Sequence, residues 1–178
     1  MLFDPTVFEN LKVGFENEVY DRDNLDQEII ISGRKDHLDL ANMSRSFSLT
    51  FQLEETSTVQ AEIHLHTDLE NISAELLELP GTEPSCELLI QFECKLVNPE
   101  RTCAEIEGAF KSVWERDLNV EQKLSQLFKR PLQAKQWDNH ITLHFQRRIT
   151  EEQMNDISGL IDYTINSLHA LEQIAGIV

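Results

Sequence analysis

The strongest constraint in this chain is a two-residue alternation that returns in several separate stretches. Phe47, Leu49, Phe51 and Leu53 alternate with Ser46, Ser48, Thr50 and Gln52. Val59, Ala61, Ile63 and Leu65 alternate with Gln60, Glu62, His64 and His66, after a turn at residues 54–57. Leu88, Ile90, Phe92, Cys94 and Leu96 repeat the pattern, as do Ile141, Leu143 and Phe145 further on. Successive side chains of a strand point to opposite faces, so each stretch has one apolar and one polar face. A parallel sheet covered on both sides would need runs apolar throughout. The pattern therefore predicts antiparallel strands with one dry face and one wet face.

Other segments are shorter or less regular. Leu11, Val13 and Phe15 alternate with Lys12, Gly14 and Glu16, which predicts a further strand over 11–16. Asp21 to Asp26 reads as a turn, because Asp and Asn bond their own backbone. Residues 27–32 form a β-branched run stopped by Gly33, and residues 35–43 fit either a short helix or an irregular edge.

Helix signals fall between and after the strands. Thr67 and Glu70 have capping-box spacing ahead of a short helix to about Leu79, with a strand as the alternative. Asn98-Pro99 opens a helix whose stripe is Cys103, Ile106, Phe110, Val113 and Trp114. Asn119 and Gln122 begin a second helix carrying Val120, Leu124, Leu127 and Phe128, ended by Pro131. Thr150 and Gln153 open the longest helix, to about Ala175. Strands mostly precede helices and no linker interrupts the chain. The expected fold is a single α+β domain over residues 1–178. It has a mainly antiparallel sheet of five to six strands, with three to four helices packed on one face.

Charge narrows the choice of partner. The chain has 32 acidic and 15 basic residues, for a net charge of −17. Residues 1–97 account for −14 of it. A polyanion repels nucleic-acid backbones and anionic membrane surfaces, so neither is expected as a partner. Lys129, Arg130 and Lys135 gather near Trp137, and Arg147-Arg148 precede the last helix, which is too little basic surface for nucleic acid. Met1 to Pro5 lacks the features of a secretory signal, and no stretch has the roughly 18 apolar residues of a membrane span. Cys86, Cys94 and Cys103 form no C-x2-C pair and are odd in number, which predicts buried thiols in a reducing cytoplasm.

Histidine supplies the candidate site. His64 and His66 share a strand face with Cα atoms about 6.5 Å apart, a spacing that can hold one metal ion. The fragment His64-x-His66-x3-Glu70 resembles part of the first cupin motif, which implies a metal site on a β-barrel. The resemblance covers seven residues, and Thr58 and Leu77 stand where the flanking glycines of the motif would fall. His140 and His144 lie on the polar side of the late strand. Four imidazoles would converge if that strand neighboured 59–66. Asp21, Asp23 and Asp26 fail the calcium-loop pattern, because Leu25, Asp26 and Ser32 occupy its key positions. No nucleophile elbow or glycine-rich phosphate loop is present.

The last helix carries more apolar surface than one stripe needs, with Met154, Ile161, Leu168 and Ala175 on a heptad and Leu160, Ile165 and Ile174 beside it. This predicts self-association through that helix, or close packing within the domain. The functional expectation is a cytoplasmic, non-catalytic binding or adaptor protein, forming a homodimer and needing no cofactor. Its binding surface is the polar sheet face at Ser48, Thr50, His64, His66, His140 and His144. Small acidic secretion chaperones share the composition and class, though no residue motif ties this chain to them. The alternative is a small metal-dependent enzyme using the histidines; a DNA-mimicking inhibitor would rest on acidity alone.

Overall fold

The computed structural model describes residues 6–115, 118–128 and 136–178. It is an α+β fold with four helices and one antiparallel sheet, as the alternation predicts. The elements run α1 (Thr6–Asn24), β1 (Ile30–Asp39), β2 (Ser44–Gln52), β3 (Val59–Thr67), α2 (Leu69–Leu76), β4 (Glu87–Leu96), α3 (Pro99–Trp114), β5 (Asn119–Ser125), β6 (Trp137–His144) and α4 (Ile157–Glu172). A 3-10 turn, Glu151–Asp156, leads directly into α4. The strand order is β1-β2-β3-β4-β6-β5, with every neighbouring pair antiparallel.

The dry face is the expected one. Phe47, Leu49, Phe51, Val59, Ala61, Ile63, Leu65, Ile90, Phe92, Ile141 and Leu143 are fully or nearly fully buried. Over them lie Phe8, Leu11, Phe15 and Val19 of α1, Ile106, Phe110 and Trp114 of α3, and Ile157, Ile161, Ile165, Leu168 and Leu171 of α4. Each such side chain contributes about 1.5–3 kcal/mol by leaving water. α4 is central: it packs against α1, α3 and β3. Of the apolar surface that suggested a helix-mediated dimer, Ile161, Ile165 and Leu168 are buried in the core, Met154, Leu160 and Ile174 are half-buried, and Ala175 is exposed.

Four local expectations are corrected. The predicted strand over 11–16 is part of α1, because the buried set Phe8, Leu11, Phe15 and Val19 has helical spacing while Val13 is 46% exposed. The predicted turn at Asp21–Asp26 is the end of that helix, with Leu25 N–H donating to the Asp21 carbonyl (2.9 Å). Gly33, expected to stop a strand, instead sits at a bulge within β1, which runs on to Asp39 as an edge strand, so residues 35–39 follow the edge alternative and not the helix. The predicted helix from Asn119 is edge strand β5, paired with β6 alone. Val120 and Leu124 lie two strand periods apart as readily as one helical turn, and tertiary pairing decides between them. Leu127 and Phe128, expected on that helix, are 74% and 73% exposed beyond the strand. Lys129, Arg130, Pro131 and Lys135 lie outside the described residues, as do Met1 to Pro5.

The caps are partly as read. Asn98 takes the left-handed conformation before Pro99, with no side-chain cap bond. Thr67 closes β3, and it is Asp68 that caps α2, accepting from Asn71 N–H (3.0 Å). Thr150 and Gln153 do cap each other, but they open the 3-10 turn.

Polar ties fix the helices to the sheet. Lys12 of α1 sits between Glu9 (2.6 Å) and Asp36 of β1 (3.1 Å), and Arg45 of β2 bridges the same two carboxylates. Burial alone would raise the Asp36 carboxyl, yet Arg45 and Lys12 hold it below the usual carboxylate range. At the other end, Glu172 accepts from Thr58 N–H (2.9 Å) and Val59 N–H (3.2 Å). The chain then returns to β4, where Val97 N–H donates to the Gly176 carbonyl (2.8 Å) and Val178 N–H to the Lys95 carbonyl (2.9 Å). Among the described residues no helix is long and apolar enough to cross a membrane.

Thr102 lies under this return, donating its hydroxyl to the Val97 carbonyl at 2.6 Å. A Cβ on Gly176 would collide with that hydroxyl and crowd its Cγ2. Gly176→Ala should therefore lower stability by about 1–3 kcal/mol, read as a fall in the urea midpoint with unchanged slope. A Gly176→Ala, Thr102→Ala double variant removes both crowded groups at the cost of the Val97 hydrogen bond, and should lose less stability than the two single variants combined.

Candidate functional site

The polar sheet face has the membership expected of it but not the convergence. Cross-strand pairing sets His64 opposite Ser48 on one side and Leu89 on the other, and His144 opposite Leu89 on its far side. His64 and His144 are thus two strand spacings apart, roughly 9.5 Å, with Leu89 between them. His140 stands four residues along β6 from His144, about 13 Å away. The four imidazoles do not meet, and among the described residues no group of three or more His, Cys, Asp or Glu is gathered for a metal ion.

The histidines instead take separate carboxylate neighbours. His140 Nδ1 lies 3.2 Å from Glu93 Oε1, His144 Nε2 3.4 Å from Glu121 Oε2, and His64 Nδ1 4.0 Å from Glu62 Oε1. Burial pushes the His64 imidazole below its ordinary pKa, with His66 adding to this and Glu62 opposing it. His64 is therefore neutral at pH 7. His66 lies a row further, opposite Ser46 and Glu87. Ser48 is only 4% exposed, covered by its neighbours. Thr50 Oγ1 donates to Glu62 Oε2 (3.0 Å) beside a hollow of about 170 Å³ that also reaches Lys35, Gln91 and His140. Sites for small organic ligands run from about 300 Å³ upward, so this hollow suits no more than a few waters or a very small solute.

A larger site lies on the helical side. Where β4 begins and β6 ends, an open cleft of about 410 Å³ is bounded by Phe15 of α1, Leu88 of β4, Trp114 of α3, Phe145 and Ile149 after β6, and Ile157, Gly159, Leu160 and Tyr163 of α4. Arg147, Gln153, Asn155 and Asp156 supply its polar groups. Apolar walls with a few polar groups at the mouth are the general form of a small-molecule site. A hollow of similar size, 420 Å³, near Thr58, Lys95, Asp138 and Val178 has a mixed polar lining without aromatic walls.

The aromatic wall is held rigid. Trp114 Nε1–H donates to Ser167 Oγ (3.0 Å), and Ser167 Oγ–H donates to the Tyr163 carbonyl one helical turn back (2.8 Å). The Trp114 and Tyr163 rings stack with centroids 5.1 Å apart and planes 23° apart, while Phe145 meets Trp114 at 5.9 Å and 57°. Next to Tyr163 is Gly159, where an added Cβ would meet nothing within 4 Å. Packing does not demand a glycine there, and a glycine inside a helix costs stability.

The cleft was not read from the sequence as a site. Trp114 appeared only as part of a core stripe, Phe145 as an inward strand residue, and Arg147 as surface charge. Gly159 was the available signal: a helix-weakening residue inside a long apolar helix. The three cysteines are free. Burial pushes the Cys86 and Cys94 thiols up to about 12 from the ordinary 9.0, and it raises half-buried Cys103 less.

Two outcomes follow from these observations. Gly159→Ala should stabilise the protein by about 0.5–1 kcal/mol, read from thermal or urea unfolding. The buried thiols stay protonated in the native state but ionise in the unfolded chain above about pH 9, so unfolding releases protons there. Stability should be insensitive to these groups below pH 9 and fall as pH rises from 9 toward 12. Urea unfolding in Cys86→Ala should show a shallower alkaline loss.

Comparison of the chain with protein-family models, with curated proteins and with solved structures finds no match.

Proposed function

We propose that this protein is a cytoplasmic, non-catalytic binding protein, and that its ligand occupies the aromatic cleft between α1, α3, α4 and the end of the sheet. The observation that carries the reading is the cleft itself: about 410 Å³ with an apolar, aromatic lining and polar groups at the mouth. That volume is ligand-sized, and its Trp114 wall is held in place by a buried hydrogen bond before any ligand arrives. A wall fixed in advance loses little entropy on binding. The lining is mostly apolar and aromatic, which favours holding a ligand. The free thiols fit a reducing compartment. Self-association through α4 is not part of this reading: Ile157, Ile161, Ile165, Leu168 and Leu171 of that helix are buried in the core, and its open apolar surface at Leu160 and Tyr163 lines the cleft.

The test is titration with Nile red, a neutral dye whose emission moves to the blue in apolar surroundings. The expected result is a saturable blue shift with one site per chain. Gly159→Leu projects a side chain into the cleft from a position with free space, and should weaken dye binding at least about tenfold, roughly 1.4 kcal/mol. Its circular dichroism should stay close to that of the unchanged protein, and its urea midpoint should be no lower. Dye binding that persists undiminished in a folded Gly159→Leu variant would sink the reading.

A further inference from the structure

We infer that the ligand of this cleft is an apolar monocarboxylate whose carboxylate is held by Arg147, an inference that rests on the binding reading above. With 32 acidic residues against 15 basic ones, carboxylates are in excess around any cation of this chain. Every other described arginine has one close by. Arg22 meets Asp162 (2.5 Å), Arg34 meets Glu16 (2.6 Å), and Arg45 meets Glu9 and Asp36 (3.1 Å each). Arg101 meets Glu105 (2.8 Å) and Arg148 meets Asp68 (3.2 Å). Arg147 alone among the described arginines has no such partner, and it is the one that lines the apolar cleft. The contrast with its neighbour is sharp: Arg148 also donates to Ser85 Oγ (3.1 Å) and to the Ser85 carbonyl (3.2 Å).

The chemistry of the ligand follows from this placement. A guanidinium presents paired N–H groups in a planar fork that matches a carboxylate with two parallel hydrogen bonds. Behind it, Trp114, Phe145 and Leu160 offer a surface for an aryl or acyl body. Asp156 also lines the mouth, and the whole molecule carries −17, so a second negative charge on the ligand would be repelled. One carboxylate on an apolar body is the composition that meets all three conditions.

The experiment compares 4-phenylbutyrate with its uncharged amide, 4-phenylbutanamide, by calorimetry at low salt, beside the Nile red titration. The acid should bind roughly tenfold more tightly than the amide, the range expected of a charge-assisted hydrogen bond. Arg147→Gln should weaken the acid about tenfold and the amide much less, so that the preference disappears. Arg148→Gln, which removes the same charge next door, should leave the preference in place. Equal binding of acid and amide overturns the inference while the cleft reading stands. So does a preference that survives Arg147→Gln, or binding of Nile red with neither phenyl compound bound. If Nile red fails to bind as well, the cleft reading falls and this inference falls with it.

Discussion

The burial of one face of a six-stranded antiparallel sheet beneath α4 is the constraint on which the rest of this structure depends. A sheet with Phe47, Leu49, Phe51, Ile63, Leu65, Ile90 and Phe92 on one side cannot leave that side in water. α4 answers it with five large apolar side chains along its buried face, and it lies against both α1 and α3. The opposite sheet face needs no cover, because its side chains are polar and its backbone groups are satisfied within the ladders. All the elaboration of the molecule is consequently on one side.

That one-sidedness explains where a ligand can go. On the open face side chains pair across strands, Thr50 with Glu62 and His140 with Glu93; the hollow beside Thr50 is small, and the 420 Å³ hollow that reaches Gln60, Glu93 and His140 has a mixed polar lining. On the helical side, layers of different shape meet, and they do not fill the corner where β4 starts, β6 ends and α4 begins. Trp114 is tethered there through Ser167 to the α4 backbone. The tether converts an incomplete packing corner into a fixed aromatic wall. Gly159 keeps the neighbouring helix surface free of side chain, and Arg147 borders the cleft without a carboxylate in ion-pair range among the described residues.

The strands were legible because their signal is local and redundant: in 46–53, 59–66 and 88–96 the apolar positions repeat at a period that no helix shares. α1 was misread because a window over 11–16 sees only one side of its stripe; Phe8 and Val19, one or two turns away, restore the helical period. β5 was misread for a different reason. Val120 and Leu124 fit either period, and an edge strand owes its form to pairing with β6, a partner that begins twelve residues after β5 ends. His64 and His144 were correctly placed on one face, but whether they meet depends on strand order. β4 lies between them, and no local pattern encodes that.

The sequence by itself therefore determined the fold class and the side of each central strand that faces the core. These follow from periodicity, which is a property of the chain read along its length. Only the tertiary structure decided that the histidines stay apart, that Ile161, Ile165 and Leu168 of α4 belong to the core, and that Phe15, Trp114, Phe145, Arg147 and Tyr163 border one cleft. Those residues come from three helices and a loop separated by as many as 148 positions. Their meeting is fixed by how the layers pack, through contacts that span the chain and leave no periodic trace within it.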